Sequence, residues 1–218
     1  MRVLLALLFV FTSECLCLSD TIEKEGLGME KRELLSEEEG RLLLRIARET
    51  IKQRLFAERA QIPSEIPPTL RQKKGTFVTI TIGGHLRGCI GHILPVEDII
   101  DGVKENAINA AFRDPRFPPL SREEFDKIQI EVSVLTTPKR LEYKGPKDLL
   151  EKLRPNVDGV IIKKGTHQAT FLPQVWEQLP QKEEFLSHLC MKAGLSPDEW
   201  KKGTLEVETY QVQAFHEK

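Results

Sequence analysis

Ile128-Gln-Ile-Glu-Val-Ser-Val134 alternates apolar with polar residues along its whole length. Successive side chains of a strand point to opposite faces of a sheet, so this alternation predicts a strand with one face in a core and the other face polar. Upstream, residues 76–82 are rich in β-branched side chains and predict another strand. Gly83-Gly84 then predicts a hairpin turn into a returning strand at residues 85–90.

The rest of the chain alternates predicted strands with predicted helices. Residues 159–164 and 168–172 predict a second hairpin, and residues 205–215 predict one closing strand. Amphipathic spacing, proline starts and capping boxes predict helices at residues 36–59, from Pro95 onward, near Phe125 after Ser121, at 146–153 and at 182–193. Hairpins with interspersed helices predict an α+β fold, with a mainly antiparallel sheet flanked by helices.

Composition excludes several classes of protein. The chain has 218 residues with 32 Lys plus Arg and 33 Asp plus Glu, so its formal charge is −1. A chain with this balance lacks the net positive charge that would attract it to nucleic acid or to an anionic membrane. Hydrophobic residues make up 40% of the chain, which is enough for a core at this length. Four cysteines without paired CxxC motifs exclude a disulfide scaffold and a zinc ribbon, which leaves a soluble globular protein.

The first 28 residues support two interpretations. An apolar run from Val3 to Phe11 suits the central region of a signal peptide and is too short to span a bilayer, but the cleavage site after it is poor. Met29 directly precedes a predicted helix, and codons for Lys24-Glu25-Gly26 can supply a ribosome-binding sequence. We therefore expect residues 1–28 to be a non-native extension and residues 29–218 to form a cytoplasmic domain. The alternative is a weak signal peptide and export.

The hexapeptide Leu86-Arg87-Gly88-Cys89-Ile90-Gly91 carries the most unusual chemistry of the sequence. Glycines on both sides of Cys89 would let a ligand or another backbone approach its sulfur. In an extended conformation His85, Arg87 and Cys89 would share one face. A guanidinium beside a thiol favours the thiolate, and Arg87 could equally bind an anionic substrate in a bidentate fork. The structural alternative is a buried cysteine in a tight strand bend.

Histidines near the hexapeptide suggest two further roles. Metal ligation by His85, Cys89 and His92 is disfavoured, because His92 would fall on the opposite face of the strand. His92 is a candidate general acid or base, and an ordinary surface histidine is the alternative. The other cysteine of the predicted domain, Cys190, lies on the apolar face of its predicted helix, where we expect core packing.

Charged residues elsewhere are candidates for completing a site. Glu131, on the polar side of the predicted strand at 128–134, could face a cleft as a proton acceptor or as an arginine partner. A solvated strand face is the alternative. Arg113, Asp114 and Arg116 lie in a stiff, proline-bounded loop. The default interpretation is that these residues form ion pairs that fix the loop. The functional interpretation is that Arg116 binds an anion.

At the hexapeptide the chain resembles the AMMECR-type domain family, whose signature has the same six residues as positions 86–91. The resemblance extends from about residue 30 to residue 216. Further blocks follow in family order at residues 42–48, 75–79, 110–120, 131–135, 158–162, 171–176 and 185–195.

The resemblance implies an α+β fold in two unequal lobes around a cleft, the larger lobe built on an antiparallel sheet, with the hexapeptide near the cleft. It also implies a three-part system in which such domains accompany a MEMO-type protein, related to dioxygenase folds, and a radical SAM enzyme. It supplies neither a reaction nor a cofactor, because none is settled for the family.

Three functions are therefore compared. In the first, the chain is a cysteine-dependent catalytic component, with Cys89 as nucleophile or carrier, Arg87 binding an anion, and Glu131 with the 113–117 loop completing the cleft. In the second, it is a non-catalytic module that binds the MEMO-type or radical SAM partner. The third, a nucleic-acid-associated regulator, ranks last because the paired lysines are scattered along the sequence.

Overall fold

The computed structural model describes residues 34–217. The expectations about a translation start at Met29 and a signal peptide in residues 1–28 lie outside the described residues. The α-helices are α1 (Glu37–Phe56), α2 (Ile99–Phe112), α3 (Pro146–Lys152) and α4 (Lys182–Lys192). The strands are β1 (Thr76–Ile82), β2 (His85–His92), β3 (Ile128–Leu135), β4 (Lys139–Arg140), β5 (Gly159–Lys164), β6 (His167–Phe171), β7 (Glu206–Tyr210) and β8 (Val212–His216). Short 3₁₀ helices lie at Pro68–Arg71, Arg122–Lys127, Pro173–Glu177 and Glu199–Lys202.

The strands form two antiparallel sheets, which confirms the predicted α+β fold. The first sheet has the order β2-β1-β3-β8, and the second has the order β4-β7-β5-β6. We call the first sheet with α1 and α2 the large lobe, and residues 139–210, which contain the second sheet, the small lobe. Each lobe has its own hydrophobic core.

The large lobe is organised around β3, the strand with the cleanest alternation. Ile128, Ile130, Val132 and Val134 are buried in the core that also contains the apolar faces of α1 and α2. β3 pairs with β1 on one side and with β8 on the other, so it lies in the interior of the sheet. The helices cover this face, and Thr79 of β1 and the polar residues of β3 point to the other face.

The small lobe packs its sheet against α3 and α4. The ring of Trp176 stacks on that of Phe185 with a centroid separation of 3.6 Å. The Trp176 indole N–H donates to the Asp158 carbonyl at 2.8 Å, so the buried ring has a partner for its only polar group. Cys190 is fully buried in this core, as its helix position predicts.

The prediction of one closing strand at residues 205–215 is wrong. The chain changes sheets at Gln211, so β7 belongs to the small lobe and β8 to the large lobe. Thr136 lies on the other connection between the lobes and forms two hydrogen bonds with Gln211. Its N–H donates to the Gln211 carbonyl and its hydroxyl accepts from the Gln211 N–H, both at 2.9 Å. Residues alternate between the two faces of the sheet in both strands, and this alternation records only which face is buried. The sequence pattern therefore does not show that the chain passes from one sheet to the other at Gln211.

Several element ends follow predicted signals and others do not. Ser36 and Glu39 form the predicted capping box at the start of α1. That helix ends at Phe56, short of the predicted residue 59, because Ala57 takes a left-handed conformation with φ 57°. α2 begins at Ile99 instead of Pro95, since Asp98 first forms an isolated bridge with another segment. The hairpin turn at Gly83-Gly84 is confirmed, with positive φ at both residues.

Candidate functional site

A row of four polar side chains crosses the large-lobe sheet on the face that the helices leave free. Cys89 on β2 pairs with Thr79 on β1, Thr79 pairs with Glu131 on β3, and Glu131 pairs with His216 on β8. Directly opposed residues on neighbouring strands have Cβ atoms about 5 Å apart, so the four side chains lie next to one another. The row brings together two of the predicted site residues, Cys89 and Glu131, which are far apart in sequence.

Part of this row lines a cavity of about 220 Å³ between the two lobes. The large lobe supplies most of the polar wall, and the segment from Leu172 to Gln178 of the small lobe supplies the opposite wall. The lining residues are Phe77, Thr79, Cys89, Glu131, Ser133, Leu172, Gln174, Val175, Gln178 and Val212. A concave, mainly apolar space with a few convergent polar groups is the usual form of a small-molecule site.

The Cys89 thiol is partly exposed and receives a hydrogen bond inside the cavity. The Thr79 hydroxyl donates to the Cys89 sulfur at 3.3 Å. The Thr79 hydroxyl is thus the polar group that contacts the sulfur directly. The sulfur is therefore accessible from the cavity and has a polar neighbour, unlike the fully buried Cys190.

Glu131 has its carboxylate fixed from two sides. The Ser133 hydroxyl donates to Oε1 at 2.9 Å, and the His216 Nδ1 lies 3.4 Å from Oε2. His216 is largely exposed and approaches from the outer edge of the sheet, whereas Glu131 is 28% exposed. The carboxylate keeps acceptor capacity for a further donor, because it can accept about four hydrogen bonds.

The backbone of Cys89 is held by the loop after α2. β2 is an edge strand, and its outward-facing amide groups need partners. The Asp114 carboxylate accepts from the Cys89 N–H at 2.9 Å, and the Arg116 guanidinium donates to the Cys89 carbonyl at 3.1 Å. Arg116 also makes a bidentate pair with Asp114 at 2.7 and 2.9 Å, which places the pKa of the buried Asp114 carboxyl far below its ordinary value. Both residues thus position the cysteine through its main chain.

Arg87 does not line the cavity. The register slips by one residue between Ile80 and Thr81, so Arg87 occupies a bulge that breaks the alternation expected to align it with Cys89. Its guanidinium makes a bidentate pair with Glu124 at 2.7 and 3.0 Å and lies over the Phe117 ring. The pair lowers the pKa of Glu124 to about 2. The fork expected for an anionic substrate is therefore occupied by a carboxylate of the chain itself.

The two glycines of the hexapeptide accommodate neighbouring protein atoms. A Cβ on Gly88 would lie 2.1 Å from the Ala110 carbonyl oxygen of α2, and a Cβ on Gly91 would lie 2.3 Å from the Phe77 ring. Of the two expected occupants, another backbone therefore fills the space beside Gly88. His92 lies on the helix-covered face, beside Glu97 at 3.5 Å, and so does not share the cavity with Cys89.

Comparisons with known proteins agree with this architecture. The model of the AMMECR1 family matches residues 44–215, which is more than half of the chain. This chain belongs to the AMMECR1 family. A protein of Methanothermobacter thermautotrophicus is 45% identical over 189 residues, covering 84% of this chain and 96% of the relative. A protein of Methanosarcina acetivorans is 42% identical over 193 residues, covering 85% and 94%.

A solved structure shares the fold of this AMMECR1 domain. The crystal structure of the uncharacterised protein PH0010 from Pyrococcus horikoshii superposes with a TM-score of 0.73 at 37% sequence identity. The match covers 84% of this chain and 94% of that protein. The resemblance at the hexapeptide is thus confirmed as family membership. The description of the family names no reaction.

Residues 34–217 lack two features that would point to a class of function. No group of three or more His, Cys, Asp or Glu side chains in this part of the AMMECR1 chain could hold a metal ion. Within the same residues, no helix has the length and apolar character needed to cross a bilayer.

Sequence reasoning missed most of the residues that surround the thiol. Thr79 lies on a predicted strand, and only the observed register places it beside Cys89. Ser133 shares a strand face with Glu131, as the alternation predicts, but that pattern does not mark it as a hydrogen-bond donor to the carboxylate. Glu124 lies in the predicted capping box that begins at Ser121, where its carboxylate accepts from the Ser121 N–H at 2.8 Å, and that pattern does not indicate its pair with Arg87. Gln174 and Gln178 come from the other lobe, and no local pattern links them to the hexapeptide.

Proposed function

We propose that this AMMECR1-domain protein acts with a MEMO-type protein and a radical SAM enzyme, and that it holds their substrate in the cavity beside Cys89. In this proposal the thiol of Cys89 is the reactive group. The observation that carries it is the partly exposed sulfur, which lines a cavity of about 220 Å³ and accepts a hydrogen bond from Thr79. The association with the two partners rests on the resemblance to the family.

The chemistry available to this site is nucleophilic. The Cys89 sulfur forms a bond to an electrophilic carbon of the substrate, and the leaving group departs with its electron pair and takes up the proton that the thiol gives up. Thr79 supplies a hydroxyl donor to the sulfur before the bond forms. Asp114 and Arg116 hold the cysteine backbone in place, which keeps the sulfur oriented toward the cavity.

A second candidate is a non-catalytic module that docks on one of the two partners. Exposed apolar side chains near β2 favour it: Leu86 is 44% exposed, Leu94 is 51% exposed and Val96 is 61% exposed. Leu94 and Val96 lie two residues apart just after β2, and neighbouring large apolar side chains left in water are a common feature of interaction surfaces. In this candidate Cys89 has only a packing role, so its chemistry does not affect the partners.

Co-expression with the two partners from the same genome tests both candidates. We expect the three proteins to co-purify, and cells with Cys89→Ser to accumulate the same metabolites as cells that lack the gene. Cys190→Ala is the matched control, because this thiol is buried in the small-lobe core away from the cavity, and we expect it to leave the metabolites unchanged. Wild-type metabolites with Cys89→Ser and an intact complex would favour the docking module. Failure of both partners to co-purify would contradict the proposed association.

A further inference from the structure

The cavity walls have an unequal distribution of charge. Among the described residues that line it, Glu131 is the only charged one. The other polar groups are neutral: one thiol, two hydroxyls and two amides, from Cys89, Thr79, Ser133, Gln174 and Gln178. The remaining walls are apolar. A ligand in this space therefore meets a carboxylate without a cation of the protein beside it in the wall.

The two arginines that flank Cys89 in the large lobe are already paired outside the cavity. Arg87 is held by Glu124, and Arg116 is held by Asp114. The Nη1 of Arg87 is buried without a hydrogen-bond partner in the described chain, but Arg87 is not among the lining residues. An anionic ligand would consequently approach Glu131 with no arginine or lysine among the described residues of the cavity wall to offset the repulsion.

The Glu131 carboxylate has room for one more donor. Ser133 occupies one lone pair of Oε1, and His216 approaches Oε2 at 3.4 Å from outside the cavity. A carboxylate that accepts from an ammonium group makes a charge-assisted hydrogen bond, which is stronger than one between neutral groups. Partial burial between the lobes strengthens the attraction further, because the effective dielectric constant is lower than in water.

We propose that this cavity binds a small ligand with a positively charged amine, its ammonium on Glu131 and its short apolar body between Phe77 and the 172–178 segment. This inference rests on the proposed function in taking the Cys89 cavity as the substrate site, and it adds the class of the ligand. The volume of about 220 Å³ lies below the roughly 300–1,000 Å³ of sites for drug-sized molecules, so the ligand is compact. It also revises the expectation of an anionic substrate on Arg87.

Three probes of equal chain length test the charge preference directly. Butylamine, butanol and butyrate each have four carbons and carry a positive, a neutral and a negative head group, and each is titrated into the ¹⁵N-labelled full chain at pH 8, where an ordinary histidine is neutral. The readout is the shift of the backbone amides of Thr79, Ser133 and Gln174. We expect butylamine to bind about tenfold more tightly than butanol, and butyrate to cause no shift of these amides.

Variants assign the preference to Glu131. In Glu131→Gln we expect butylamine to lose its advantage over butanol, while Glu184→Gln, which removes an exposed carboxylate of the small lobe outside this cavity, leaves it unchanged. Butyrate binding as tightly as butylamine, no shift with butylamine, or an unchanged preference in Glu131→Gln would each overturn the proposal. The probe series on the wild-type chain stays decisive even where a variant fails to fold.

The proposed preference for an amine and the proposed role of the thiol are tested by different results, so either can be wrong while the other holds. Cys89→Ser should keep the preference for butylamine, because the carboxylate carries it. If Cys89→Ser keeps wild-type metabolites while the amine preference holds, the thiol chemistry is wrong and the amine site remains. If Cys89→Ser reproduces the deletion while butyrate binds best, the thiol chemistry remains and the ligand class is wrong.

Discussion

Thr79 and Cys89 face each other across the β1–β2 hairpin, and the threonine hydroxyl donates to the cysteine sulfur at 3.3 Å. This contact places a donor on the atom that the proposed chemistry uses. It depends on a register that the loop after α2 secures, since Asp114 and Arg116 bind the two outward-facing backbone groups of Cys89. The reactive group, its hydrogen-bond donor and its backbone support thus come from three separate segments of the large lobe.

Removing the donor should slow the reaction of the thiol. In Thr79→Val the shape of the side chain is nearly kept and the hydroxyl is lost, so we expect iodoacetamide to alkylate Cys89 about two- to tenfold more slowly at fixed pH. The rate is measured by mass spectrometry of the Cys89 peptide. Thr81→Val on the same strand, which faces Leu86, is the control and should alkylate like the wild type. An equal rate in Thr79→Val and the wild type would show that the hydroxyl has no part in the activation.

Loss of the Asp114 carboxylate should destabilise the large lobe. Asp114→Ala leaves the Cys89 N–H without its acceptor and frees Arg116, and we expect the free energy of unfolding to fall by about 2–4 kcal/mol. Urea denaturation followed by circular dichroism measures the change. Asp101→Ala, which removes an exposed carboxylate paired with the exposed Lys104, should stay within about 0.5 kcal/mol of the wild type. Equal effects of the two substitutions would contradict the support role of Asp114.

The Arg87–Glu124 pair should make stability depend on pH in the acid range. The pKa of Glu124 falls from an ordinary 4.5 to about 2 in the folded chain, mainly through its hydrogen bonds from Arg87. A lowered folded-state pKa contributes stability above pH 4.5, and this contribution is lost as the pH falls from about 4.5 to about 2. We expect Glu124→Gln to cost about 1–3 kcal/mol at pH 7 and progressively less below pH 4.5.

Urea denaturation of the wild type and Glu124→Gln at several pH values checks this dependence. The exposed Glu151→Gln variant should follow the wild type at every pH. A constant difference between the wild type and Glu124→Gln from pH 7 down to pH 2 would mean that the ionised carboxylate does not supply the stability.

Gly88 should tolerate no side chain. A Cβ there would lie 2.1 Å from the Ala110 carbonyl oxygen, and the backbone of α2 cannot move away without loosening its packing on the sheet. We expect Gly88→Ala to cost about 1–3 kcal/mol or more in thermal or urea unfolding. Gly145→Ala is the control, because its Cβ would meet no atom within 4 Å. A Gly88→Ala chain as stable as the control would contradict the close approach of β2 and α2.

The sequence predicted the main strands and helices of the fold and only part of the site. The alternation at residues 128–134 identified the interior strand of the large-lobe sheet, because one buried face leaves a clear period of two. The sequence did not predict the pairing of Thr79 with Cys89. An unbroken hairpin from Gly83-Gly84 would place Gly88 opposite Thr79, but the bulge at Arg87 shifts the register by one residue and brings Cys89 there instead.

Other misses have the same physical origin, which is long-range contact. The partner of Arg87 is Glu124, which lies 37 positions away and looked like a simple capping residue. The break at Gln211 leaves no local mark, since both halves of the segment alternate in the same way. The small-lobe wall of the cavity depends on how the two lobes pack, and no periodicity within one element records that packing.

Alkylation of the folded chain with iodoacetamide, read separately at Cys89 and Cys190 by mass spectrometry, tests the central claim most directly. The account predicts that Cys89 is modified in the native protein while Cys190, buried in the small-lobe core, reacts only after unfolding. Equal protection of the two cysteines in the native chain would contradict it.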